Sequence, residues 1–378
     1  MTLTPRERVL TALAHEEPDR VPLSLWGSWY GITDTLYFNV LDILGWEPVP
    51  PFRPDRLHSV NHYDDRLLEL LHVDVRHVDP GAIAAYSTPG ADGADAFGIR
   101  WKTLGPYRSP VSHPLQKAGV EQILEHRMPD PDALIDVDGI RERIAAVRAM
   151  DREYAVVGRA VASYGFFEMS QALRRPEQLL MDLAAKPDVV HALIGRLYDC
   201  YAGLTERFLH VAGESLDMIE LPGDDFAGNT GPLISPAMFD QFFKEPYRRL
   251  IALIKDRSPH LKVVYHSDGA MTAFMSRLVE IGADVFHSAE PLPAWDLGEM
   301  KRLHGDRLAF MGAIDIRDAL RGGEGEVVAE VSTRLGELGP GGGYILAPSN
   351  HLQSDVPPEN LFTLYEAARE LGQYPLRT

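Results

Sequence analysis

Residues 262–287 read KVVYHSDGAMTAFMSRLVEIGADVFH. The stretch opens on an apolar, β-branched run from Lys262 to His266, short enough for a buried strand and too short for a helix. Gly269 then breaks the extended chain. Met271, Phe274 and Leu278 follow at helical spacing. Gly282 stands where a helix-ending glycine belongs. A second apolar run, residues 284–287 (DVFH), closes the unit. Strand, helix, strand is the repeat of a parallel α/β fold, because parallel neighbours need a crossover between them.

The same alternation extends in both directions. Runs of strand character occupy residues 21–26 (VPLSLW), 73–78 (VDVRHV), 154–159 (YAVVGR), 217–221 (DMIEL), 262–266, 284–287, 308–314 (LAFMGAI) and 344–347 (YILA). Between the later runs, helices carry clear punctuation. Ser235-Pro236 starts one. Val327, Val331, Leu335 and Leu338 line the face of another, and Pro357-Pro358-Glu359-Asn360 opens the last. Eight strand-helix repeats predict a (β/α)8 TIM barrel. The alternative, a doubly wound open sheet, calls for a glycine-rich phosphate turn after the first strand, and VPLSLWGSWYG has none. Thr4-Pro5-Arg6-Glu7 predicts a capped helix ahead of the barrel. Residues from about 80 to 150 interrupt the repeat. They read as an insertion between strands two and three, with a hairpin over residues 96–104 and the stretch to Leu115. Residues 1–378 are expected to form one domain.

The composition, 45% apolar and 24% charged, is that of an ordinary soluble globular chain. A net charge of −18 makes nucleic acid and anionic membrane poor partners. With Cys200 as its one cysteine, the chain can form no intrachain disulfide or cysteine-rich zinc site, which fits a reducing cytoplasm. No apolar run approaches the roughly 20 residues of a membrane helix. The N-terminus reads as a capped helix, not a signal peptide.

Active sites of this architecture form at the C-terminal ends of the strands. Those ends carry Arg159, then Glu220 with Gly223-Asp224-Asp225, then His266-Ser267-Asp268-Gly269, then His287 with Glu290 close behind, then Asp315, and last Ser349-Asn350-His351. His266 and Asp268 are two apart, so in extended chain they share a face. An imidazole and a carboxylate so placed bind a metal together, or the carboxylate orients the ring. Asp224 and Asp225 are neighbours, and their repulsion raises a pKa toward acid–base use. His351 is placed as a third ligand or a general acid. Arg159, Tyr164, Phe166 and His287, with Trp26, Trp29 and Tyr30, are the expected substrate contacts, and the aromatic side chains point to an aromatic or apolar ligand. Cys200, in LYDCYAGL, reads as helix packing. His58, His62, His72, His77 and His113 read as surface or structural.

Five motifs then converge. They are the opening TPRERVLTALAHEEPDRVP (residues 4–22), Gly223-Asp224-Asp225-Phe226, VVYHSDG (263–269), GGYILAPS (342–349) and DVPPEN (355–360). Together they resemble the uroporphyrinogen decarboxylase superfamily over nearly the whole chain. The resemblance implies a (β/α)8 barrel and one of two chemistries. One is metal-free decarboxylation of a porphyrinogen. The other is zinc-dependent methyl transfer between a small substrate and a corrinoid supplied by a partner protein. In the decarboxylase branch a cationic N-terminal motif meets the substrate's carboxylates, whereas residues 21–28 here carry no cation. The late histidine of that branch falls on Asn350. In the methyltransferase branch a His-x-Cys pair ends strand five, and here His266 is kept while Asp268 takes the cysteine's place. The resemblance thus implies zinc at His266, Asp268 and His351, with Glu220 as a further ligand or behind the ligands. Asp224 or Asp225 would serve acid–base chemistry beside His266, Asp268 and Asn350. Loss of the thiolate favours activation of an oxygen over methylation of a thiol. A metal-free decarboxylase of a porphyrinogen or other acid is the alternative, and a non-catalytic ligand-binding barrel is a third reading. A homodimer would follow the superfamily.

Overall fold

The computed structural model describes residues 3–25, 31–49, 64–104 and 107–376. Its centre is a parallel sheet of seven strands, Val75–Val78, Ala155–Gly158, Met218–Glu220, Lys262–His266, Val285–Ser288, Ala309–Ile314 and Tyr344–Pro348. Each strand pairs with the next in chain order, and every pair is parallel. Nearly every strand residue is buried. Strands covered on both faces need apolar runs rather than alternation, which is how these runs read in the sequence.

Residues 21–25 join the last strand to the first. Leu23 bridges Leu346 in parallel. The Ser24 N–H donates to the Leu346 carbonyl at 2.9 Å, and the Asp74 N–H donates to the Leu23 carbonyl at 2.8 Å. The ring is therefore a (β/α)8 barrel in which the first run, expected as a full strand over residues 21–26, contributes a bridge instead. Its donors explain the difference. Pro22 has no N–H, and the Leu23 N–H goes to the Asp74 carboxylate at 2.8 Å.

That carboxylate also anchors the N-terminal helix Pro5–Leu13, whose Thr4 and Glu7 form the expected capping box. Arg8 reaches Asp74 at 2.7 Å, and Arg20 reaches it at 2.8 Å. All three side chains are buried, so the arginines of the opening motif hold the helix to the floor of the barrel. Removing one partner of such a buried pair costs about 3–5 kcal/mol.

The insertion lies between Val75–Val78 and Ala155–Gly158. It holds the antiparallel hairpin Trp101–Leu104 with Tyr107–Pro110 and four helices, Ala82–Ser87, Val120–Glu125, Pro131–Leu134 and Val137–Arg148. Outer helices start and stop as read. Ser235 Oγ caps Pro236–Phe242, Gly282 ends Met275–Ile281 in the left-handed conformation, and Glu324–Leu338 and Pro358–Leu371 finish the ring. Cys200 is buried in the long helix Pro187–Ala212. Among the described residues, no helix is long and apolar enough to cross a membrane.

Candidate functional site

Four loops meet where Met218–Glu220, Lys262–His266, Val285–Ser288 and Tyr344–Pro348 end. Two glycines let them come together. Gly269, at φ +87°, turns the chain after Asp268 in a conformation other residues rarely adopt, with the Ala227 carbonyl where a Cβ would sit. A Cβ on Gly223 would lie 2.7 Å from His266 Cδ2, so the bare backbone there makes room for the imidazole.

Asp268 is the hub. Its N–H donates to Asp225 Oδ1 at 2.7 Å, which folds the Gly223-Asp224-Asp225 loop onto the strand end. Its own Oδ1 accepts from Ser288 Oγ at 2.9 Å, and its Oδ2 accepts from Asn350 Nδ2 at 2.6 Å. Asn350 Oδ1 in turn accepts the His351 N–H at 2.7 Å. His266 Nε2 stands 3.7 Å from Asp268 Oδ1, too far for a hydrogen bond. Behind it, His266 Nδ1 and His287 Nδ1 are 2.8 Å apart. Glu290 accepts the Gly269 N–H at 3.2 Å and pairs with Arg317 at 3.3 Å.

The electrostatics are those of crowded, desolvated acid. Burial pushes Asp225 up to about 6, against the hydrogen bond from Asp268, and Glu290 adds to the rise. Asp268 is raised well above the usual carboxylate range by burial and by Asp225 and Glu290, although Ser288 and Asn350 favour its charge. Glu168 is raised likewise by burial, then by Asp225, Asp224 and Asp268. His266 is lowered by burial, His287 and His351, and burial takes His287 down to about 3. Neutral imidazoles beside repelling carboxylates leave a place for a cation.

Asp225, His266 and Asp268 each offer one ligand atom, all within 4.8 Å of one another. Donors about 2.0–2.2 Å from a tetrahedral zinc stand about 3.4 Å apart. The 3.7 Å between His266 Nε2 and Asp268 Oδ1 therefore suits a shared ion better than a direct bond. One imidazole and two carboxylates leave a fourth position open, as catalytic zinc sites do.

The other expected site residues divide. Asp224 is fully buried and accepts the Phe167 and Glu168 N–H groups, each at 2.8 Å, and the Tyr247 hydroxyl at 2.6 Å. It caps the helix Phe166–Arg174 from a distant loop instead of facing the mouth, and burial pushes it up to about 7. Glu220 accepts the Ala160 N–H at 3.1 Å and lies 3.6 Å from the buried Arg159 guanidinium, apart from the ligand group. His351 is buried and outside that group, with Asp225 as its third member. Phe166, expected against substrate, is fully buried between Tyr201 and Tyr247, where it packs in the core. His287, also expected against substrate, is fully buried behind His266. Tyr164 stacks on Trp101 with centroids 6.1 Å apart. Trp26, Trp29 and Tyr30 lie outside the described residues. The residue missed is Glu168. In sequence it is one more acid in a helix's first turn, and only the fold of the 223–225 loop brings it to the cluster.

The uroporphyrinogen decarboxylase (URO-D) family model matches residues 94–371. Curated relatives include the uroporphyrinogen decarboxylase of Neisseria meningitidis, 22% identical over 194 residues, covering 50% of this chain and 50% of that protein. The enzyme of the same name from Dechloromonas aromatica is 23% identical over 230 residues, covering 58% of this chain and 60% of that protein. The matches thus span half to three-fifths of those relatives' length. Among solved structures, a methyltransferase from Methanosarcina mazei superposes on 97% of this chain and 99% of its own, with a TM-score of 0.65 at 19% identity. At that identity the match shows a shared fold.

Proposed function

The chain belongs to the uroporphyrinogen decarboxylase (URO-D) family, and from that premise we propose that it is a zinc-dependent enzyme moving a methyl group between a small substrate and a corrinoid carried by a partner protein. The observation that carries this reading is the Asp225–His266–Asp268 group, set among further carboxylates at the strand ends. A porphyrinogen with eight carboxylates needs a cationic floor. The described groups here are Glu168, Asp225, Asp268 and Glu290, with Arg317 engaged by Glu290 and Arg159 buried beside Glu220. That the Methanosarcina protein with this fold is a methyltransferase agrees with this assignment.

When bound, zinc supplies Lewis acidity to the heteroatom that loses or gains the methyl group. Asp225 and Asp268 would hold it through carboxylate oxygens, and His266 through Nε2. Ser288 and Asn350 keep the Asp268 carboxylate from rotating. With no thiolate in the set, less electron density reaches the ion, which suits an oxygen or nitrogen leaving atom. Glu168, whose carboxyl is raised by burial and then by Asp225 in the metal-free protein, would be the group that protonates the departing heteroatom.

The test is methylation of cob(I)alamin by zinc-loaded protein with a panel of methoxyarenes and methylamines. Turnover that disappears on chelation, and in Asp268→Ala, supports the assignment. Conversion of uroporphyrinogen to coproporphyrinogen by chelated protein at enzymatic rate would replace it with decarboxylation.

A further inference from the structure

We propose that the outer face of the insertion hairpin, formed by Arg100, Lys102, Leu104 and Val111, is the surface on which an acidic corrinoid-carrying protein docks. This rests on the methyl-transfer reading above and names the part of the chain that receives the partner.

Charge sets the segment apart. The whole chain has 55 acidic residues against 37 Lys and Arg. Residues 96–120 contain no acid, yet they hold Arg100, Lys102, Arg108 and Lys117. Arg100, Lys102 and Lys117 are exposed, and among the described residues none of the three pairs with a carboxylate. Elsewhere on the surface, Arg248, Arg257 and Arg277 are each held by an acid of this chain, Glu245, Glu206 and Asp240. Unpaired cations on a chain of net charge −18 attract an acid from outside it.

Register gathers these cations with apolar surface. Side chains alternate along a strand, so Arg100, Lys102 and Leu104 share one face. The Val111 N–H donates to the Arg100 carbonyl at 2.8 Å, which continues the pairing of Trp101 with Pro110 and sets Val111 across from Arg100 on that face. Leu104 is 55% exposed and Val111 59%. Large aliphatic side chains held in water beside cations suit a protein surface. Nucleic acid would use the cations alone, and the rest of the chain repels it.

The opposite face ties the hairpin to the mouth of the barrel. Trp101 stacks on Tyr164 and donates from Nε1 to Asp95 Oδ2 at 2.8 Å. Next to Tyr164, the Gly165 N–H donates to the Gly223 carbonyl at 2.6 Å, two residues before Asp225. The insertion leaves Val75–Val78 at its C-terminal end, the end of the barrel that carries Asp225, His266 and Asp268. A carrier seated on the hairpin therefore brings its corrinoid beside that group.

The probe is corrinoid protein purified from the source organism on its visible absorbance, with free cob(I)alamin as the acceptor that needs no docking. Sedimentation reads carrier binding to full-length protein in chelator, and zinc-loaded protein is assayed for methyl transfer to each acceptor. The double variant Arg100→Glu/Lys102→Glu should bind the carrier at least about tenfold more weakly at low salt, and the difference should shrink in about 0.5 M salt. Leu104→Ser should weaken binding at both salt concentrations. Transfer to free cob(I)alamin should be unchanged in all of them. Equal carrier binding by wild type and the double variant overturns the docking surface and leaves methyl transfer standing. Absence of carrier binding to wild type also overturns it, and transfer to free cob(I)alamin then decides the function separately. A salt-sensitive dimer of this chain, or bound nucleic acid, that the double variant abolishes overturns it by placing another occupant on the face. Carrier binding in chelator that the double variant loses, in a protein that transfers no methyl group, supports the docking surface and removes the zinc-dependent reading.

Discussion

Replacing Gly223 with alanine places a methyl carbon 2.7 Å from His266 Cδ2 and 3.3 Å from its Cβ and Cγ. Carbon–carbon contacts settle near 3.5–4.0 Å, so the ring must retreat by about 1 Å. Gly223 has no positive φ, so the alanine meets a contact penalty and no backbone strain. Retreat is opposed because His287 stands behind the ring, its Nδ1 at 2.8 Å. Overpacking of this kind costs about 1–3 kcal/mol. At about 2.1 cal/mol/K of unfolding entropy per residue, the whole chain carries about 0.8 kcal/mol/K, so Tm should fall by about 1–4 °C. A ligand displaced by about 1 Å should weaken zinc binding by at least about tenfold. Calorimetry reads the first quantity and zinc titration the second. Gly228→Ala is the control, since its new methyl would meet only Leu233 Cδ2 at 3.6 Å, an ordinary contact. If Gly223→Ala keeps wild-type Tm and zinc affinity, His266 does not depend on this fit and the packing account of the site is wrong.

Asp224→Ala should destabilise the protein by at least about 2 kcal/mol, because it strands the Phe167 and Glu168 N–H groups and the Tyr247 hydroxyl. A urea midpoint within error of wild type would show that the helix does not need this cap. Burial pushes the Asp225 and Asp224 carboxyls up to about 6 and about 7, against an ordinary value of 3.8. Groups raised in this way hold protons that the unfolded chain has already released. Their contribution therefore falls as pH rises from about 4 to 7, while that of the neutral-held His266 and His287 rises, so metal-free wild type should lose stability relative to Asp225→Asn over that window, and zinc at pH 7 should restore it. A urea midpoint in chelator that rises with pH as much in wild type as in Asp225→Asn contradicts the account. The Cys200 thiol, buried and pushed up to about 12, should resist alkylation at pH 8 until urea unfolds the chain. Rapid labelling of native protein would place it elsewhere.

The barrel was legible because its strands are buried on both faces and its helices are punctuated by Ser235, Gly282 and Pro358. Hydropathy marked residues 21–26 as one more strand. It carried no sign that Asp74, about fifty positions away, would take the Leu23 N–H and leave a single bridge. His266 and Asp268 were visible as a pair because two-residue spacing at a strand end is a local matter. The third donor was not local. Asp225 reaches the pair through the Asp268 N–H, while the more conspicuous His351 is tied to Asn350 through its backbone. Asp224 and Asp225 look alike in sequence, yet one caps a helix and the other faces the strand end. Phe166 had the composition of a pocket residue, but Tyr201 and Tyr247 enclose it in the core.

The central claim is that Asp225, His266 and Asp268 share one divalent ion. Crystals grown with zinc and measured at its absorption edge test it most directly. The account predicts one strong anomalous peak in contact with His266 Nε2 and an oxygen from each of the two aspartates. A map with no peak there, or with zinc held at another set of side chains, would contradict it.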